Sequence, residues 1–231
     1  MSQMLSINTP DGEFSAYVAR PVGGPAPVVV VLQEIFGVNA DMRQSSDELA
    51  ERGFIAVCPD LFWRQKPNVQ LSDKTDWEPA LKLYEAYDIP VGVTDIVATM
   101  DFARSLPGSN GRVGLMGYCF GGLMTYLTAA RAHVDVGVSY YGGRTEQFLA
   151  ESGKVTAPMI FHVGEEDEYI SKEAQSAIKE AMKGKELVEV FTYPGCGHAF
   201  ARHRGEKYDT AAANLANERT ASFFKKYLDA A

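Results

Sequence analysis

Three side chains whose types could together perform nucleophilic chemistry occur in this chain in a set order. They are a cysteine in GYCFGG (117–122), an aspartate in GEEDE (164–168) and a histidine in PGCGHAF (194–200). A thiol needs a base to become a nucleophile, and the base needs an acid to orient it. Cys119 lies between an apolar stretch and a helical one. Gly117, Gly121 and Gly122 permit a sharp strand-to-helix turn, which would lift the thiol out of the carboxyl end of a sheet. At a helix N-terminus the dipole and outward N–H groups favour a thiolate and a developing oxyanion. The bland reading is a packing residue, since free cysteine is among the most buried residue types. A phosphate cradle fits poorly, because both the GxGxxG spacing and the Lys-Ser/Thr pair of a P-loop are absent.

Four histidines compete for the role of base. His133 closes a helix, where capping explains it; His162 sits in the apolar strand IFHV and reads as a core histidine; His203 lies in a charged loop. His198 instead follows a strand and is presented at its carboxyl end by flexible glycines. Asp167 follows the strand before that one. Glu165, Glu166 and Glu168 beside it are alternative acids, and their plain reading is a solvated turn. Cys119, Asp167 and His198 thus run in nucleophile–acid–histidine order, each on a loop after its own strand, as in hydrolases with a GxSxG nucleophile turn.

The elements that must position them alternate along the chain. Residues 5–8 and 14–20 flank the turn TPDG and predict an antiparallel hairpin. The run VVVVL (28–32) suits a strand buried on both faces of a parallel sheet. A helix is expected over 41–52, ending at Gly53, and a strand over 54–58, stopped by Pro59. Residues 60–79 form a long polar, aromatic-bearing loop, a candidate lid or pocket wall. Helices over 80–88 and 91–105 follow. Strand–helix units then recur: 112–116 with 120–132, 134–140 with a short 145–151 helix, 159–163 with 172–183, and 187–193 with 210–228. This pattern gives an α/β fold, a mostly parallel sheet with an antiparallel N-terminal hairpin and helices on both faces.

Length and composition, 231 residues at 46% hydrophobic, suit one domain over 1–231. A net charge of −8 and no basic run argue against nucleic acid as a partner. The start, MSQMLSI, lacks the charged and apolar regions of a secretory signal, and the longest apolar run, 28–32, is far too short to span a membrane. Three cysteines at unrelated spacings, without a Cys-x-x-Cys pair, predict neither disulfides nor zinc; a reducing cytoplasm fits them.

The chain resembles the dienelactone hydrolase (carboxymethylenebutenolidase) family through QEIFGVN (33–39), VCPDL (57–61), residues 113–122, YYG (140–142), GHAFAR (197–202) and LANER (215–219). The resemblance implies a single-domain α/β-hydrolase whose triad falls on Cys119, Asp167 and His198. It also implies Glu34 as a carboxylate that deprotonates the thiol when substrate arrives. A carboxylate beside a cysteine disfavours the thiolate and so protects it from oxidation until then. Backbone N–H groups of Ile35 and Phe120 are the implied oxyanion hole. The implied substrate is a small lactone or ester, and no metal or organic cofactor is required.

The family holds the carboxylate of dienelactone with two arginines. One matches Arg202; the second falls on Trp77, while a pocket tyrosine becomes Leu81 and a tryptophan becomes Tyr84. An indole cannot replace a guanidinium as a bidentate partner. Lys74 or Lys82 could compensate, although solvent exposure is the ordinary reading of both. A general carboxylesterase or thioesterase, and a ligand-binding protein without catalysis, are the competing functions.

Overall fold

The computed structural model describes residues 1–229. The strand order is β1-β2-β4-β3-β5-β6-β7-β8. The chain divides into two compact units, 1–115 and 116–231, with the fifth strand, β5 (Ser109–Tyr118), running across the division.

In the first unit β1 (Ser2–Thr9) and β2 (Gly12–Ala19) pair antiparallel from Ser2↔Ala19 to Thr9↔Gly12. β2 also pairs antiparallel with β4 (Ile55–Pro59), which lies parallel to β3 (Ala26–Leu32). Every residue of β3 is buried, as its unbroken apolar run requires of a strand covered on both faces. Helix α1 (Ala40–Glu51) starts where the Asn39 side chain accepts the Met42 N–H at 3.2 Å. Beyond its last turn Gly53 takes φ +96°, and the chain reverses into β4. Pro59 closes β4 from within, one residue later than the sequence suggests.

The segment after β4 corrects an expectation. Helix α2 begins at Trp77 and ends at Glu85, so the connection spans 60–76 rather than 60–79. Pro79 is the third helical residue, in the first turn, where the missing N–H has no intrahelical partner to lose. Nor is the connection built as a loose lid. Asp60 accepts the N–H groups of Phe62 and Asn68, and Gln33 accepts that of Leu61. Leu71 N–H donates to the Phe36 carbonyl at 2.8 Å, and the Asn39 amide donates to Leu71. Arg64 forks onto buried Asp95 from α3 (Ile89–Ser105) and reaches Asp11.

The second unit contains α4 (Phe120–Arg131), β6 (Val136–Tyr140), a 3-10 helix (Thr145–Lys154), β7 (Met159–Gly164), α5 (Lys172–Met182), β8 (Val188–Tyr193) and α6 (Thr210–Leu228). β6, β7 and β8 are parallel, and register pairs Tyr140 with His162 and His162 with Phe191. Helix α4 ends at Arg131, so His133 does not close it; that side chain is exposed and lies 3.3 Å from Asp135. Among the described residues no helix is long and apolar enough to cross a membrane.

His162 is fully buried on β7. Its Nδ1 meets the Tyr193 hydroxyl at 2.7 Å and its Nε2 the Thr220 hydroxyl at 3.0 Å. Burial first, and the nearby Arg219 charge second, push its pKa down from 6.5 to about 3. Between these values the unfolded chain binds a proton that the folded chain does not. Stability from this group is complete above pH 6.5 and declines as pH falls, by about 1.4 kcal/mol per unit. His162→Gln does not titrate in that range. In denaturant melts the stability gap between wild type and variant should therefore narrow by about that slope below pH 6.5. A gap constant from about pH 7.5 to about pH 4.5 would contradict the assignment.

Candidate active site

Cys119 takes φ +52°, ψ −113°, a conformation that L-residues rarely adopt, between the last residue of β5 and the first of α4. The turn is this sharp because Gly117 has no side chain: a Cβ there would lie 2.1 Å from the Gly121 carbonyl oxygen. Cys119 N–H donates to the Tyr140 carbonyl at 3.0 Å, and its own carbonyl accepts from Leu123 at 3.1 Å. The side chain is half-buried. Phe120 is the first residue of α4, so its N–H is among those directed out of the helix N-terminus.

His198 is buried in the loop after β8. Its Nδ1 lies 2.9 Å and 3.1 Å from the two carboxylate oxygens of Asp167. An ionised carboxylate only accepts, so Nδ1 carries a proton; the ring's other side hydrogen-bonds Cys119. Burial alone would push the imidazolium pKa down. Beside an ionised Cys119, that charge and the bond to Asp167 outweigh burial and raise it from 6.5 to about 10. Asp167 is held in turn by the N–H groups of Tyr169 and Ile170, at 2.9 and 3.1 Å.

The neighbouring acids take other partners. Glu166 pairs with Lys172 at 2.9 Å, while Glu168 accepts the His198 backbone N–H and pairs with Lys207. The acid and histidine loops pass so closely that a Cβ on Gly164 would sit 2.4 Å from the Cys196 carbonyl oxygen. The structure therefore brings Cys119, Asp167 and His198 together. His162 and His133 stand apart from them, and His203 stacks on Tyr208.

Sequence reasoning missed two aromatic rings on the imidazole. Tyr169 packs edge-on at 4.8 Å, and Tyr141 does so at 5.1 Å. Tyr169 is 57% exposed, an unusual state for a large ring that also touches a buried histidine. The signal available was its place two residues after Asp167, where such residues commonly close a turn onto an aspartate. Arg202 lies on the same loop as His198, its N–H bonded to the Ala199 carbonyl at 2.9 Å.

In the first unit Glu34 and Ile35 lie just past β3, after Gln33, and both are buried. Trp77 opens α2 with its ring edge-on to Phe36 at 5.1 Å and its indole N–H donating to the Asp73 carbonyl. Trp77 and Leu81 are 36% and 41% exposed, one helical turn apart, with half-buried Tyr84 next along that face. Lys82 pairs with Glu78 at 2.7 Å, and Lys74 is exposed. Among the described residues no group of three or more His, Cys, Asp or Glu could hold a metal ion.

Comparison with known proteins accords with this geometry. The chain is 42% identical over 226 residues to a carboxymethylenebutenolidase of Pseudomonas putida, covering 96% of each. A dienelactone hydrolase-like promiscuous phosphotriesterase from metagenomic libraries superposes with a TM-score of 0.82 at 20% identity, over 98% of each chain. A dienelactone hydrolase from Anabaena variabilis gives 0.73 at 18% identity, over 99% of this chain and 98% of its own. The profile of the dienelactone hydrolase family matches residues 14–228. The chain belongs to the dienelactone hydrolase family and is a carboxylic ester hydrolase with the α/β-hydrolase fold.

Proposed function

We propose that the enzyme opens a lactone, or cleaves a small carboxylic ester, through an acyl-thioester on Cys119. The observation that carries this is the imidazole of His198, hydrogen-bonded to Asp167 on one side and to Cys119 on the other. Glu34 takes the thiol proton as substrate arrives. The Cys119 sulfur then attacks the carbonyl carbon; a C–S bond forms and the C–O bond to the leaving oxygen breaks. The N–H groups of Ile35 and Phe120 stabilise the oxyanion, such donors contributing about 2.7–4 kcal/mol each. His198 protonates the leaving oxygen.

Acylation then changes the histidine. With the sulfur acylated, the charge that does most to raise the imidazolium pKa is gone, and burial pulls it down. The ring, having given its proton to the leaving oxygen, then takes one from a water, whose oxygen bonds the thioester carbon. The C–S bond breaks to free the acid, and the sulfur recovers the proton held by Glu34. A cytoplasmic setting suits the three free thiols.

The thiols provide a direct test. Cys58 and Cys196 are buried, and burial pushes both thiols up, whereas Cys119 is half-buried at a helix start. Iodoacetamide should therefore label Cys119 first, and peptide mapping that finds Cys196 labelled ahead of it would refute the assignment. Cys119→Ala should lower kcat by about 10⁴-fold or more with the melting temperature little changed. Retained turnover would exclude the acyl-thioester.

Glu34→Gln keeps shape and removes the proton acceptor. It should lower kcat/KM by about 10²-fold with small effect on the thermal midpoint. An unaltered kcat/KM would leave Glu34 a structural carboxylate.

A dienelactone-type substrate follows from the family, with Arg202 gripping its carboxylate. Trp77 in place of a second arginine removes a charge-assisted bond worth about 1.5–3 kcal/mol, roughly tenfold or more in affinity. Exposed Trp77 and Leu81 offer apolar surface instead, which favours bulkier, less charged esters. Steady-state comparison of dienelactone with p-nitrophenyl esters should give the higher KM for dienelactone. Arg202→Ala should harm anionic substrates more than neutral ones. Tighter dienelactone binding than neutral ester binding, with no gain from Trp77→Arg, would sink this reading.

A further inference from the structure

Beneath the triad runs a second polar assembly, distinct from it and unused by the chemistry above. Arg219 of α6 donates to the Tyr193 hydroxyl at 3.2 Å, and that hydroxyl lies 2.7 Å from His162 Nδ1. His162 Nε2 lies 3.0 Å from the Thr220 hydroxyl, which is 2.7 Å from the Tyr140 hydroxyl. Tyr140 in turn donates to Asn217 Oδ1 at 2.9 Å. The two ends fix the direction of the whole chain, because a guanidinium only donates and a carboxamide oxygen only accepts. Tyr193 accepts from Arg219 and passes its proton toward Nδ1. The ring proton therefore sits on Nε2 and points at Thr220, and Thr220 donates to Tyr140. With His162 neutral, as its burial favours, every link is satisfied. A second ring proton would meet the Tyr193 hydrogen head-on, beside the Arg219 charge.

The assembly joins the strand ends from which the triad is built. Tyr140 is the last residue of β6, and its carbonyl accepts the Cys119 N–H. His162 lies on β7, two residues before the Gly164 that opens the Asp167 loop, and its carbonyl accepts the Tyr141 N–H at 2.7 Å. Tyr193 ends β8, whose loop carries His198, and its ring packs on Phe200 at 4.7 Å. Arg219 also lies 4.0 Å over the Phe191 ring, and α6 provides Asn217, Arg219 and Thr220 as cross-braces. Residues 215–219 thus gain a physical role that the proposed reaction leaves open.

We propose that His162, with Tyr193 and Thr220, forms a directional hydrogen-bond brace that positions the Cys119 turn against His198. These are positioning residues: none touches substrate or the reacting atoms. The inference rests on the triad reading, since a brace matters to rate only if the braced groups react. A small displacement of a nucleophile from its base costs far more in rate than in binding.

The test uses the 231-residue enzyme and three substitutions in the chain of hydroxyls. Thr220→Val keeps shape and removes the hydroxyl, Thr220→Ser returns it, and Tyr193→Phe removes a second hydroxyl. Both Thr220→Val and Tyr193→Phe should lower kcat on a p-nitrophenyl ester by about tenfold with KM within about twofold. Both should also slow iodoacetamide alkylation of Cys119 and shift its pH profile. Thr220→Ser should recover wild-type values. The double variant should be little worse than either single one, because a chain cut once is already cut. Variants that lose melting temperature but keep kcat and the alkylation profile would overturn the brace. So would a Thr220→Ser variant as slow as Thr220→Val, which would trace the effect to packing. If Thr220→Val fails to fold, Tyr193→Phe decides the matter by the same two readouts. A wild type that hydrolyses no ester, with Cys119 inert to alkylation, would overturn the triad reading and this one with it.

Discussion

The chemistry of the second unit depends on how closely its backbone passes itself at Cys119. A non-glycine residue at φ +52°, ψ −113° stores about 1–3 kcal/mol of strain. Such a conformation persists only where the surroundings over-determine it. Here Gly117 admits the Gly121 carbonyl, the Cys119 N–H is anchored on Tyr140, and α4 is buried from Phe120 to Ala130. A thiol on an ordinary strand would alternate with its neighbours across the sheet. The strained turn instead aims it at the strands' carboxyl end, where the helix dipole favours negative charge. Two further non-glycine residues with positive φ, Tyr141 at +37° and Ala199 at +59°, adjoin the same imidazole. One touches its ring and the other follows it in sequence, so the local strain gathers where the geometry must be tight.

The electrostatics carry the same dependence. An imidazole this deeply buried would ordinarily be neutral, and His162, nearby on β7, shows that outcome. His198 differs because Asp167 and Cys119 flank it, and Asp167 is itself pinned by two backbone N–H groups. Opposite shifts on two buried histidines of one unit follow from their neighbours rather than from their depth.

Much of this was legible in the residues because it is local. Unbroken β-branched residues marked β3, and Gly53 marked the end of α1. Helix α6 was bounded correctly at Thr210 and Leu228. The order of Cys119, Asp167 and His198, each after a strand, identified residues that the structure brings together, because the rule linking strand ends to loops is topological. The failures were of two kinds. Pro79 reads as a loop residue, although the first turn of a helix tolerates it, so the expected 60–79 connection is too long. The other kind was non-local. Nothing periodic ties Leu71 to Phe36, Tyr169 to His198, or His162 to Thr220, residues 58 apart in the chain. A strand pattern shows that His162 is buried but not which hydroxyls will meet it.

These two classes of interaction constrain change differently. At Gly117 and Gly164 the limiting contacts are backbone to backbone, where a single added Cβ would collide with a carbonyl. A substitution there disturbs the fold and the chemistry together. The face of α2 carrying Trp77, Leu81 and Tyr84 is of another sort. It is a helix surface, partly exposed, fixed chiefly by the Trp77–Phe36 ring contact and the bond from the indole to Asp73. A side chain on such a surface can change in charge or size without moving a strand end, at a typical cost within about 0.5 kcal/mol. On the proposed reading, substrate preference can therefore diverge at these positions while acyl transfer stays fixed. On that reading, indole in place of arginine at Trp77 alters selectivity and leaves acyl transfer intact.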